Sequence, residues 1–172
     1  MAGSIHRLLA DDHRRLDELL DCATADPERI DRAAYAEFRA GLLKHISMEE
    51  KILLPAAQRL RGGEPLPVAA ALRLQHGAIA ALLVPTPTLD IIATLRVVLS
   101  DHNPLEEDPG GLYETCEKVA GNEVDALLAN LCAAPEVPVA SHVDGSKVLG
   151  AARRALARAG LDVGALPLIR HE

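Results

Sequence analysis

A six-residue pattern, a histidine followed at the fourth and fifth positions by two glutamates, occurs twice in the chain. It reads HISMEE from His45 and HNPLEE from His102, and an isolated histidine precedes each copy, His13 before the first and His76 before the second. Residues four apart on a helix lie on one face, about 6 Å apart along the axis. Each copy therefore predicts an imidazole and a carboxylate directed into the same space.

The composition predicts an all-helical chain. Apolar residues make up 49 % of the 172 residues, mostly Leu and Ala, which favour helix, whereas aromatic residues make up only 2 %. This balance argues against a β-sandwich or barrel, which draws on aromatic and β-branched side chains. Short breaks between amphipathic segments join antiparallel neighbours. We expect an all-α, up-down-up-down four-helix bundle with additional C-terminal helices.

Apolar periodicity and turn residues locate the helices. The first is predicted from a Ser4 cap to Thr24, the second from an Asp31 cap to about Arg61, with a kink at Pro55, and the third from about Pro67 to Val84. Thr88 caps a fourth helix, which Pro104 and the turn at 108–111 interrupt, and a fifth runs from about Leu112 to Cys132.

The domain organisation is one bundle with an appendage. Residues 1–133 are predicted to form the bundle domain, and residues 134–172 a linker and a C-terminal helix that begins at Asp144 and ends at Gly160. Three arginines, Arg153, Arg154 and Arg158, occupy the polar side of that helix. It is interpreted as a packing element or a contact between protomers, so that a homo-oligomer through this helix is one expectation.

Burying four histidines and two or more carboxylates is costly unless something compensates their charge and polarity. Hydrogen-bonded ion pairs supply part of that compensation. A metal pair supplies all of it, because it neutralises the carboxylates and uses the imidazole lone pairs. Glu49 and Glu106, four residues after their histidines, are the natural bridging ligands. Glu50, Glu107 and Asp17 are minor candidates, with the two glutamates expected to face solvent or cap neighbours.

Divalent iron fits this donor set best. Zinc prefers four-coordinate sites with Cys and His, and magnesium and calcium avoid imidazole. Two iron ions in a mixed nitrogen and oxygen site can share carboxylates and a water-derived oxygen. The other histidines fall outside the pattern and are predicted to be surface residues: His6, His142 and His171.

The pattern resembles the hemerythrin-like, or HHE cation-binding, family, over about residues 5–132. The resemblance rests on the two isolated histidines and the two His-x3-Glu pairs, and implies a non-haem di-iron centre with an oxo or hydroxo bridge. By that resemblance His13 and His45 serve one iron and His76 and His102 the other, bridged by two glutamates. The implied metal ligands are therefore His13, His45, Glu49, His76, His102 and Glu106.

One feature differs from the oxygen-carrying members of that family, in which the third helix carries two histidines four residues apart. Here Leu72 and Ala80 flank His76 at that spacing. The chain thus has four histidines, and a coordination position is either open or filled by another side chain. Tyr113 is the best candidate for an extra ligand, and the alternative is a buried tyrosine with a hydrogen-bonded hydroxyl.

The functional prediction is a di-iron protein that binds or reacts with O2, NO or H2O2. The alternative is an iron or oxygen sensor, or an iron-handling interaction protein, without turnover. Whether the protein is an enzyme, a possible peroxide- or NO-reactive oxidoreductase, stays open at this point, and a metal-free bundle that only mediates contacts is a third class. No Glu-x-x-His pattern, HExxH, Walker A or GxGxxG motif supports another class.

Charge and cysteine usage limit the partners and the compartment. A net charge of −7 offers no basic field for nucleic acid, and no stretch of about 18 uncharged apolar residues predicts a membrane span. The N-terminus shows no apolar signal-peptide core. Cys22, Cys116 and Cys132 form no CxxC pair and are interpreted as buried, reduced thiols. A soluble, cytoplasmic protein is expected.

Overall fold

The computed structural model describes residues 3–167, and this part of the chain is helical without a β-strand. The predicted all-α bundle with additional C-terminal helices is confirmed. Its helices are α1 (Ser4–Ala23), α2 (Arg32–Met48), α3 (Leu54–Leu60), α4 (Ala69–Leu82), α5 (Leu89–Glu107), α6 (Leu112–Ala120), α7 (Val124–Cys132) and α8 (Ser146–Arg158).

Two of the three predicted helix caps are confirmed. The Asp31 carboxylate accepts hydrogen bonds from two backbone amides in the first turn of α2, and the Thr88 hydroxyl accepts one from the Ile91 amide. The Ser4 cap is wrong, because α1 begins at Ser4 itself and no side chain of the preceding residue caps it. Its first turn is satisfied from α6, where Glu117 Oε1 accepts from the amide of Ile5 at 2.7 Å.

The expected irregularity near Pro55 takes the form of a π-helical turn, Glu49–Leu53, between α2 and α3. Proline has no N–H to donate, and its ring clashes with the carbonyl four residues earlier, that of Lys51. A wider turn immediately before the proline accommodates both restrictions. Such turns are frequent at functional sites, and this one begins at Glu49.

The predicted interruption at Pro104 is wrong, since α5 continues through this proline to Glu107. The carbonyl that loses its partner belongs to Ser100, and both Ser100 and Pro104 are exposed, so water can satisfy it. Because the helix continues, Glu106 stays on the same face as His102.

Two hydrophobic clusters fill the bundle, with a polar layer between them. On α1, Ile5 and Leu9 belong to one cluster and Leu16 and Leu20 to the other, and His13 lies between. The same division occurs on α2 and α4. On α5 the second cluster precedes His102, and the first cluster resumes only in α6. The first cluster comes before the second on α1 and α4 and after it on α2 and along α5 and α6, so consecutive helices run in opposite directions, as predicted.

The C-terminal helix α8 packs against α4. Its buried face, Ala152, Ala155 and Leu156, belongs to the same hydrophobic cluster as α1, α2, α4 and α5. Asp144 does not begin the helix as predicted, because its carboxylate accepts hydrogen bonds from the amide and hydroxyl of Thr86. The preceding linker is held by the buried Arg39, which donates to the carbonyls of Leu83 and Ala140, both at 2.8 Å.

The chain leaves α5 through a tight turn at 108–111 and then forms two helices instead of the single fifth helix predicted. A 3₁₀ turn that begins at Gly121, with φ of +49°, separates α6 from α7, a backbone conformation that favours glycine. In the tight turn, a Cβ on Gly111 would lie 2.8 Å from the carbonyl oxygens of Glu106 and Asp108. Glycine at this position therefore allows the backbone to reverse direction tightly, so that α6 packs against α5.

The cysteines differ in their exposure. Cys116 is buried, and burial raises the pKa of its thiol to about 12. Cys22 and Cys132 are exposed, so the prediction of three buried thiols is wrong for these two. Within residues 3–167, every helix is too short or too polar to cross a lipid bilayer.

We predict that Leu156→Ala lowers the free energy of unfolding by about 2–5 kcal/mol, because Leu156 is fully buried between α8 and the bundle. Urea denaturation measures this change. The matched control is Leu74→Ala, since Leu74 is 47 % exposed, and its effect should stay within about 0.5 kcal/mol. Equal effects of the two substitutions would show that α8 does not stabilise the bundle.

We predict that Gly111→Ala lowers stability by about 1–3 kcal/mol, because the added methyl group contacts backbone oxygens that cannot move aside independently. Thermal unfolding measures the loss. Gly77→Ala is the control: Gly77 lies in α4 with open space around its Cβ position, so alanine should stabilise by about 0.5–1 kcal/mol. A Gly111→Ala protein as stable as the original would contradict the tight-turn assignment.

Candidate metal centre

The polar layer between the hydrophobic clusters contains all six of the side chains predicted as metal ligands. Each long helix contributes one histidine, α5 adds a glutamate, and the π-helical turn adds another. All six are at most 5 % exposed, and the two glutamates are 0 % exposed: His13, His45, Glu49, His76, His102 and Glu106.

The six side chains form two groups of possible ligands. One comprises His13, His45 and both glutamates, and the other comprises His76, His102 and the same two glutamates, Glu49 and Glu106. Within each group, one donor atom per side chain lies within 4.8 Å of every other. Two cation sites that share two carboxylates are the arrangement this geometry allows.

Each glutamate directs one oxygen toward each group. Glu49 Oε1 lies 3.3 Å from His45 Nε2, while its Oε2 lies 3.2 Å from His76 Nε2. Glu106 Oε2 lies 3.5 Å from His13 Nε2, and its Oε1 lies 3.2 Å from His102 Nε2. The two carboxylates can therefore bridge two cations without a change of side-chain conformation.

The other nitrogen of each imidazole, Nδ1, meets an oxygen of a side chain farther from the centre. We call these four side chains the outer acceptors. An acceptor at Nδ1 fixes one proton there, so Nε2 is the nitrogen that faces the centre and can bind a cation once it is deprotonated. The pairs and their distances are His13 with Glu107 (2.5 Å), His45 with Asp12 (2.9 Å), His76 with Glu50 (2.7 Å) and His102 with Gln75 (2.8 Å).

The outer acceptors correct part of the sequence interpretation. Glu50 and Glu107 lie outside the central groups, and their carboxylates are not directed only at solvent. Each binds the isolated histidine of another helix. Asp12 and Gln75 were missed. The available signal was their position, since each directly precedes an isolated histidine and so faces the adjacent helix. Asp17, the remaining minor candidate, is exposed and lies outside both groups.

The histidines outside the pattern have other contacts. His6, expected at the surface, is partly buried: its Nε2 lies 2.8 Å from the Glu107 carbonyl and its ring packs edge-on against Tyr113. His142 is also partly buried, with its ring near Tyr35. His171 lies outside the described residues.

Tyr113 places its hydroxyl among the central side chains and is fully buried. Its oxygen lies 2.7 Å from Glu49 Oε1, 3.1 Å from Glu106 Oε2, 3.2 Å from His45 Nε2 and 3.3 Å from His13 Nε2. A phenol has one proton, so it donates to one of the carboxylates at a time. All four contacts lie on the side of the first group.

Electrostatic interactions hold the central carboxylates ionised. Burial opposes the charged form of His45, but the carboxylates of Glu49, Asp12 and Glu106 outweigh this effect and raise its pKa to about 10. The same balance raises the pKa of His76 to about 10. In return, these histidines lower the pKa of Glu49 well below its ordinary value against the effect of burial. Protons thus provide the positive charge that bound cations would otherwise provide.

The pairing of hydrogen-bond donors and acceptors is incomplete on the side of the second group. Among the described residues, Glu49 Oε2, His76 Nε2 and Glu106 Oε1 are buried and lack a hydrogen-bond partner. The imidazole nitrogen lies 3.2 Å from the Glu49 oxygen and 3.4 Å from the Glu106 oxygen as ion-pair contacts. Buried polar atoms are rarely left unpaired. All three are donor atoms of one group, so a cation there would satisfy them together, and the residues present fit a metal.

Comparison with known proteins agrees with this geometry. A family model described as the hemerythrin HHE cation-binding domain matches residues 4–109, well over half of the chain. Neither curated proteins nor solved structures gave a significant match. The matched region contains every residue of both groups, and the chain belongs to the hemerythrin HHE cation-binding domain family.

Proposed function

We propose that this chain is a non-haem di-iron protein that binds or reacts with a small ligand, O2, NO or H2O2. The observation that supports it most strongly is the sharing of two fully buried carboxylates by two pairs of histidines. Family membership supports cation binding. The identity of the cation, the number of ions and the small ligand are the proposal.

The donor set favours iron over the other common cations. Each group offers two imidazole nitrogens and two carboxylates and no thiolate, which suits iron with open positions better than structural zinc. Magnesium and calcium prefer sites built from oxygen. With four protein side chains in each group, coordination positions are left for a small ligand. Ferrous iron would supply the electrons for its reduction.

The protein's own residues have three tasks in this proposal. The hydrophobic clusters above and below the polar layer exclude water from it. The outer acceptors hold the Nδ1 protons and orient the rings, a role whose loss elsewhere reduces metal affinity by about 10–100-fold. The Tyr113 hydroxyl holds a proton 2.7 Å from Glu49 Oε1, on the side of the first group.

A sensor or iron-handling role without turnover is the second candidate. It is favoured by the packing of α8 against α4, the helix that carries His76. A change at the centre that moved α4 would therefore reach the C-terminal helix and its exposed Arg154 and Arg158. Reversible binding without consumption of the ligand, together with a change in the exposure of α8, distinguishes this role from catalysis.

We predict that the protein reconstituted with ferrous iron without oxygen holds two irons per chain, and that His45→Ala and His102→Ala each abolish stable two-iron loading. Each substitution removes one nitrogen donor from a different group. Elemental analysis after gel filtration measures the iron. His142→Ala is the control, because His142 lies outside both groups, and it should keep both irons. Full loading in either test variant would contradict the ligand assignment.

We predict that the optical spectrum of the iron-loaded protein changes when O2, NO or H2O2 is added, because open positions adjoin the bridged pair. Stopped-flow absorption measures the change, and an oxygen or peroxide electrode measures consumption. Rapid loss of peroxide over many turnovers indicates an enzyme, whereas a band that disappears on removal of the ligand indicates a carrier or sensor. An unchanged spectrum with all three ligands would refute the proposed function.

We predict that Tyr113→Phe distinguishes the two roles of this residue. If the phenol oxygen is an extra ligand, the oxidised protein has a visible phenolate-to-iron charge-transfer band that the variant lacks. If the hydroxyl only donates to Glu49, the band is absent from both proteins and the variant shows altered ligand reactivity alone. Resonance Raman spectroscopy detects the phenolate modes. If the variant and the original protein have the same spectra and the same ligand reactivity, Tyr113 has neither role.

A further inference from the structure

The two halves of the centre repeat one design of outer acceptors. In each half, the residue directly before the isolated histidine binds the histidine of the motif: Asp12 binds His45, and Gln75 binds His102. The second glutamate of each motif binds the isolated histidine of the other half: Glu50 binds His76, and Glu107 binds His13. Asp12 and Gln75 thus occupy equivalent positions in the two groups.

These equivalent positions differ in charge. Asp12 presents one carboxylate oxygen at 2.9 Å from Nδ1 of His45, while its other oxygen accepts a hydrogen bond from Arg15 at 2.9 Å. Gln75 presents a neutral amide oxygen at 2.8 Å. A carboxylate draws the Nδ1 proton more strongly than an amide does, and so makes Nε2 the stronger electron donor.

The second pair of outer acceptors differs in the same sense. Glu50, which binds His76, also accepts from Arg73 at 3.2 Å, and this cation offsets part of its charge. Glu107, which binds His13 at 2.5 Å, has no arginine or lysine among the ion pairs found in residues 3–167. Each group therefore has one arginine-paired carboxylate, Asp12 with Arg15 and Glu50 with Arg73. The groups differ in their second acceptor, which is the carboxylate of Glu107 behind His13 and the neutral amide of Gln75 behind His102.

The shared ligands do not cancel this difference. Glu49 and Glu106 give one oxygen to each group, so their charge is divided between the two. The Tyr113 hydroxyl donates to one of these carboxylates on the side of His13 and His45, and this single hydrogen bond offsets only part of the difference. Among the outer acceptors, the stronger set therefore lies behind His13 and His45.

We propose that Gln75 makes the two irons electronically unequal, so that the iron held by His13 and His45 is oxidised first and the iron held by His76 and His102 remains ferrous longer. This inference rests on the proposed di-iron function. In the first step one electron passes from the His13–His45 iron to an added ferricyanide, converting Fe(II) to Fe(III). A second ferricyanide then takes one electron from the other iron. Gln75 acts through His102 as a positioning residue.

The test is a redox titration of the fully loaded protein without oxygen, followed by electron paramagnetic resonance of the mixed-valence state. The original protein should show two separate one-electron midpoints and a single mixed-valence signal between them. Two isosteric substitutions exchange the charges of the equivalent positions. Gln75→Glu should lower the upper midpoint, and Asp12→Asn should raise the lower one, each by the equivalent of about a tenfold change in the ferric-to-ferrous ratio.

Both substitutions should therefore narrow the separation between the midpoints, and a purely structural role of these side chains would not produce opposite shifts. A separation that widens in either variant, or midpoints that move in neither, would overturn the inference. So would a single two-electron step in the original protein. Failure of the original protein to hold two irons is a distinct result, which refutes the proposed function and this inference with it.

Discussion

The structure depends on two ionised carboxylates, those of Glu49 and Glu106, buried at the centre of a bundle of hydrophobic helices. An unpaired carboxylate in such a place is very costly. Positive charge must therefore be present, either as protons on the surrounding histidines or as bound cations. The histidines placed around the glutamates, and the outer acceptors behind the histidines, are the consequence of this single requirement.

The same requirement explains the layered organisation of the bundle. Polar side chains occur at one level on each of the four long helices, and apolar side chains fill the levels on both sides. Helix continuity keeps that level intact, since α5 passes through Pro104 and a π-helical turn places Glu49 where α2 ends. The two hydrophobic clusters stabilise the fold, while the layer between them contains the candidate cation ligands.

The sequence predicted the fold and the central residues because both depend on local periodicity. The HxxxE spacing fixes an imidazole and a carboxylate on one helical face, and the apolar stripes fix which face is buried. The outer acceptors depend on contacts between helices, such as that of Glu107 with His13, which no local pattern specifies. The break at Gly121 and the exposure of Cys22 likewise depend on tertiary packing, and sequence reasoning missed them. For the C-terminal helix, the sequence left packing and a protomer contact as alternatives, and only the tertiary structure shows that it packs against α4.

The most direct measurement of the central claim is anomalous X-ray diffraction at the iron absorption edge, from crystals of the protein grown after reconstitution with ferrous iron. The account predicts two anomalous peaks in the polar layer, one against the Nε2 atoms of His13 and His45 and one against those of His76 and His102, with Glu49 and Glu106 between them. A single peak, peaks outside this layer, or an empty centre in iron-replete crystals would contradict it.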